Sequence, residues 1–177
     1  MPSKGVAYRA KQMSWLSGEA HRRFTDPVVG ELISEIENAD LDESERANAR
    51  EWRHQYDRAT ALPVELVEKF ASAQSVGKSL WADARKKSDF SLFSDALSEL
   101  VELNREQAEL WGYEECSYDA LLDRFERGAR ASNLEKVLGN LKQDLVPLVE
   151  EALSLEPFDR GTGGLQSGDS QGYRIRL

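Results

Sequence analysis

Apolar residues recur at helical spacing along almost the whole chain, and this pattern leaves no room for a sheet. Nowhere does a run of β-branched residues alternate with polar ones, as a half-buried strand requires. From Lys4 to about Phe24, Val6, Met13, Leu16 and Ala20 fall near one face. Thr25-Asp26-Pro27 then supplies an N-cap oxygen and a proline suited to a first helical turn. Val28, Leu32, Ile33 and Ile36 form the stripe that follows. Asp42 and Glu45 have capping-box spacing and open a third helix reaching about Ala61.

The remaining boundaries are marked in the same way. Leu62-Pro63 breaks the chain, because the residue before proline is pushed out of helical geometry. Val64, Val67, Phe70, Ala71 and Gln74 predict a fourth helix to about Lys87, and Ser88-Asp89 caps a fifth. That fifth helix carries Phe93, Leu97, Leu100, Val101, Ala108 and Trp111 on one face and stops at Gly112. A short helix from about Tyr118 to Phe125 precedes the last one, opened by Ser132 and Glu135. The last helix is lined by Val137, Leu138, Leu141, Leu145, Leu148, Val149 and Ala152, with a kink expected at Pro147. The expected fold class is therefore all-α, a bundle of about six to seven helices over residues 1–157. Residues 158–177 hold five of the twelve glycines and lose the helical period, so they read as a flexible, disordered tail.

Charge and composition exclude several functions. The net charge is −9, and acids surround the basic clusters Arg22-Arg23 and Arg85-Lys86-Lys87, so nucleic acid is not an expected partner. No stretch approaches the ~20 apolar residues a membrane span needs, and the first residues lack the apolar core of a secretory signal. A single cysteine, Cys116, excludes an internal disulfide, and the expected location is cytoplasmic.

Residues capable of chemistry are few. His21 and His54, the only histidines, lie 33 positions apart, so no metal motif built from paired histidines can form. His21 is expected to face solvent beside Arg22-Arg23, and His54, between Arg50 and Arg58, to have a packing or hydrogen-bonding role. Glu114-Glu115 and Glu150-Glu151 read as solvated pairs, and Cys116 as an incidental thiol beside two acids. Gly161-Thr162-Gly163-Gly164 lacks the spacing of a phosphate loop. Trp15, Trp52, Trp81 and Trp111 are expected to anchor the core between helices.

Four stretches together resemble a known family. They are RRFTDPVVGELI (22–33), NAREWRHQYDRATALPVELVEKFA (48–71), WADARKKSDFSLFSDALSELVELNREQAELWGYEECSYDALLDRFERG (81–128) and SNLEKVLGNLKQDLVPLVEE (132–151). In order and spacing they are similar to the N-terminal helical region of the carboxypeptidase Taq family, zinc metallocarboxypeptidases. The resemblance implies an all-α fold, a cytosolic homodimer and removal of C-terminal amino acids from peptides. It also implies a zinc held by an HExxH helix and a later glutamate, two histidines at i and i+4 sharing a helical face.

This sequence contains no HExxH. No catalytic, cofactor-binding or metal residue is therefore carried over, and this chain is expected to bind no zinc itself. Two readings follow. One is an inactive fragment of a zinc metallocarboxypeptidase from a truncated or frame-shifted gene; the other is a free-standing helical protein-interaction module. An HExxH in the neighbouring DNA, in any frame, would separate them.

Overall fold

The computed structural model describes residues 5–154. All of the regular structure among them is helical: α1 (Val6–Phe24), α2 (Pro27–Glu37), α3 (Glu43–Thr60), α4 (Val64–Lys87), α5 (Ser91–Trp111), α6 (Ser117–Leu122) and α7 (Ala131–Ser154). The all-α class is as the sequence indicates. The glycine-rich stretch read as a flexible tail lies outside the described residues.

Local chemistry sets the helix ends. Asp26 accepts the Val28 N–H at 2.9 Å, with Pro27 in the first turn of α2. At α3 the capping box is complete: Asp42 accepts from Glu45 N at 2.8 Å, and Glu45 accepts from Asp42 N at 2.9 Å. Between α4 and α5 the arrangement differs from expectation. Ser88 takes a left-handed conformation (φ 53°) and closes α4, leaving Asp89 alone to accept the Ser91 N–H at 3.0 Å. Helix α7 begins at Ala131, one residue ahead of the expected Ser132 cap.

The chain divides into two compact units, one up to Ala131 and one from Ser132. In the first, α1 lies along α4, α4 along α5, α2 beside α3, and α5 meets α6. Leu66, Ala73 and Leu103 form its core, with Leu62, Phe70 and Leu100 packed around them. Much of the remaining buried set is alanine: Ala10, Ala49, Ala84, Ala108 and Ala120. Small side chains let helices approach closely. An added Cβ at Gly18 of α1 would meet the Glu68 side chain on α4.

Several expected faces are corrected by this packing. In α1, Leu16 is 53% exposed and Ala20 is exposed, whereas Ala10 and Gly18 are buried and Ser14, Ser17 and His21 half-buried. In α5, Ala108 is buried as expected, but Leu97 and Val101 are exposed and Leu103 and Gln107 take the other buried positions. The second unit is described only through α7, which is unbroken around Pro147. Proline there has no N–H to give the Gln143 carbonyl.

Candidate functional site

The densest polar cluster of the first unit is built on Arg58, from the last turn of α3. Its Nη1 donates to Asp123 Oδ2 at 3.0 Å, and its Nη2 to the Ala120 carbonyl at 2.8 Å. The guanidinium lies 3.9 Å from the centroid of the Trp111 ring, and Trp111 Nε1 donates to the Arg58 carbonyl at 2.9 Å. One arginine thus ties α3 to the end of α5 and to the turn after α6. An arginine suits this position because its planar, charged fork stacks and donates in several directions together.

Asp123 is the other hub. His54 Nε2, one turn before Arg58, donates to the same Oδ2 at 2.8 Å, and the Gly128 N–H donates to Oδ1 at 2.9 Å. Gly128 has φ +76°, a conformation that bends the chain back toward the carboxylate. Burial pushes the Asp123 carboxyl up. The Gly128 N–H and then the His54 and Arg58 charges outweigh it, and together they hold the group below the usual carboxylate range. Burial lowers Arg58 from its ordinary value, against the pull of Asp123 and with help from neighbouring Arg124.

Beside this cluster lies a cavity of about 470 Å³ bordered by His21, His54, Arg58, Gln107, Trp111 and Asp123, among others. Both histidines therefore reach one cavity although 33 residues separate them. His21 is half-buried, not solvent-facing as expected, and its Nε2 donates to the Leu62 carbonyl at 3.0 Å. That bond ties α1 to the turn before α4. Gln107 is 4% exposed, and its Oε1 is buried without a hydrogen-bond partner.

The donor set does not fit a catalytic zinc. Such a site needs three protein ligands and an open position. Among the described residues no group of three or more His, Cys, Asp or Glu side chains could hold a metal. Both histidines have Nε2 committed to oxygen acceptors, and Asp123 Oδ2 is shared between His54 and Arg58.

Other candidates fall into structural places. Cys116 is exposed, and its Sγ accepts the Tyr118 N–H at 3.4 Å as the N-cap of α6. Glu114 and Glu115, ahead of α6, both pair with Arg130, beyond it. Of the tryptophans, Trp111 acts as an anchor, while Trp15, Trp52 and Trp81 are 61%, 47% and 46% exposed, contrary to expectation. The sequence reading missed Arg58 and Asp123 as a unit. Their 65-residue separation gives no spacing signal.

Comparison with known proteins covers this whole first unit. The model of the carboxypeptidase Taq (M32) metallopeptidase family matches residues 1–163. Thermostable carboxypeptidase 1 of Thermus thermophilus is 37% identical over 167 residues, 86% of this chain and 32% of that protein. Carboxypeptidase 1 of Bacillus subtilis is 32% identical over 152 residues, 85% of this chain and 30% of that one. Among solved structures, the crystal structure of BsuCP superposes with a TM-score of 0.81 at 31% identity, covering 87% of this chain and 31% of its own. The Pyrococcus furiosus carboxypeptidase gives 0.73 at 32% identity, covering 87% and 31%. This chain spans about a third of the length of the curated relatives it matches. With a family model matching most of its length, the chain belongs to the carboxypeptidase Taq (M32) metallopeptidase family.

Proposed function

We propose that these 177 residues provide the N-terminal helical framework of a metallocarboxypeptidase-type fold and not its chemistry. By themselves they release no C-terminal amino acids from peptides and retain no zinc. The observation that carries this reading is the histidine count. The family model matches residues 1–163, yet two histidines 33 apart cannot make the i, i+4 pair that a zinc helix needs. The Arg58–Asp123–His54 cluster then acts as the brace that fixes α3, α5 and α6 to one another. Zinc, peptide substrates and a cytoplasmic, dimeric enzyme belong to this reading as what the family resemblance implies for a longer chain.

A peptidase assay tests it. The purified chain is incubated with added zinc and peptides of varied C-terminal residue, with the Thermus thermophilus relative alongside as positive control. Release of C-terminal amino acids that is abolished by a chelator and restored by zinc would refute the reading. A second reading, a free-standing helical interaction module, draws on the apolar surface that α7 leaves uncovered.

A further inference from the structure

We propose that the cavity between α3 and the α4–α5 pair is a binding site for a small, uncharged primary carboxamide with an apolar body. This goes beyond the framework reading and does not depend on it. The site lies wholly within the first unit. Helix α3 packs on α2 and stands off α4 and the body of α5, and the gap is the cavity of about 470 Å³ already described. Ligand pockets commonly measure about 300–1,000 Å³, and gaps between bundled helices are a usual place for them.

The polar lining asks for hydrogen-bond donors. Gln107 of α5 is 4% exposed, and its Oε1 is buried without a partner. An unmet buried acceptor is costly, and native folds rarely keep one with no ligand or water to serve it. His21 of α1 and His54 of α3 add two more acceptors to the same lining. Each ring's Nε2 donates to an oxygen, which leaves Nδ1 of the neutral imidazole to accept. Three helices thus contribute one acceptor each around a single cavity. The amides of Gln55 and Gln74 supply N–H donors there.

Charge and shape narrow the class. Arg58 pairs with Asp123, and Glu51 and Arg124 are of opposite sign, so the charges of the lining cancel. A carboxylate brings only acceptors and an ammonium only donors. A primary carboxamide brings two N–H donors and a carbonyl acceptor in one plane, which matches a lining that holds both kinds of group. Leu62, Val67 and Phe70 provide the apolar wall for the rest of the molecule. The Trp111 ring already carries the Arg58 guanidinium at 3.9 Å, so it closes one end of the cavity and is no stacking platform.

Heteronuclear NMR of the full chain titrated with benzamide tests this. The expected result is saturable shifts at both imidazoles and at the Trp111 indole N–H, with a Kd on the order of 1 mM for so small a probe. Acetophenone, which has a methyl group where benzamide has its NH₂, should bind at least tenfold more weakly, and so should benzoate. Gln107→Leu keeps the bulk and removes the acceptor, and should weaken benzamide at least fivefold with circular dichroism unchanged. Absence of saturation overturns the proposal, as does acetophenone or benzoate binding as tightly as benzamide. Shifts confined to the other tryptophans, or a folded Gln107→Leu that binds like the native chain, overturn it too. The comparison of the three probes uses only the native chain, so it decides the matter even where the variant fails to fold. None of these outcomes bears on peptide hydrolysis, which tests the framework reading separately.

Discussion

Replacing Asp123 by alanine removes three interactions at one stroke: the Gly128 N–H, His54 Nε2 and Arg58 Nη1 all lose their acceptor. Hydrogen bonds to a charged group contribute about 1.5–3 kcal/mol each when well shielded. Asp123 keeps 20% of its side chain exposed, so solvent screening places each at or below the low end of that range. Non-additivity among partners that share one carboxylate reduces the sum further. The expected loss is about 2–4 kcal/mol, a large share of the roughly 5–15 kcal/mol that holds a domain together. At ~4 °C per kcal/mol for a unit of this size, the thermal midpoint should fall by roughly 8–16 °C.

The pH dependence gives a second handle on the same residue. The folded-state pKa of Asp123 lies below its ordinary value, so its contribution is fully present above the unfolded pKa near 3.9. It is lost as pH falls through the lower folded value. The gap in midpoint between the native chain and Asp123→Ala should therefore persist from pH 7 down to about 5 and close under stronger acid. Thermal melts followed by circular dichroism at a series of pH values measure both. A midpoint change under about 2 °C at pH 7, or a gap that stays fully open in strong acid, would refute the assignment of Asp123 as the hub.

Two further substitutions test the packing. Leu103→Ala, at a site 2% exposed between Leu66 and Ala73, should cost about 2–5 kcal/mol in denaturant unfolding, and a loss below 1 kcal/mol would displace Leu103 from the core. Gly30→Ala should destabilise by about 1–3 kcal/mol despite alanine's better helix propensity, because the new methyl would meet the Tyr56 ring and hydroxyl at 2.7–2.9 Å. Increased stability in that variant would show that the α2–α3 contact yields easily.

What the sequence revealed was local. The Asp26 cap, the Asp42–Glu45 box and the stops at Pro63 and Gly112 each depend on residues within one turn, so their meaning survives without tertiary context. Faces were legible only where large side chains were buried. In α1 Ala10 and Gly18 are buried and Ser14, Ser17 and His21 half-buried, and hydropathy gives small residues little weight. Spacing of small residues at three and four would have been the better guide, since close helix approach selects for size. The site lay beyond reach for a different reason. Arg58, Trp111 and Asp123 meet through long loops of chain, and neither residue type nor interval distinguishes them from other charged and aromatic positions. His54 was the exception: an imidazole flanked by arginines on a helix pointed to a hydrogen-bonded role, and it pairs with Asp123.

Calorimetric titration of the metal-free chain with zinc at neutral pH tests the central claim, a framework without the family's chemistry, most directly. The account predicts no saturable binding at one zinc per chain, because no three ligands converge among the described residues and both histidines already donate to oxygen acceptors. One equivalent bound tightly, with affinity lost on replacing His21 or His54 by alanine, would contradict it.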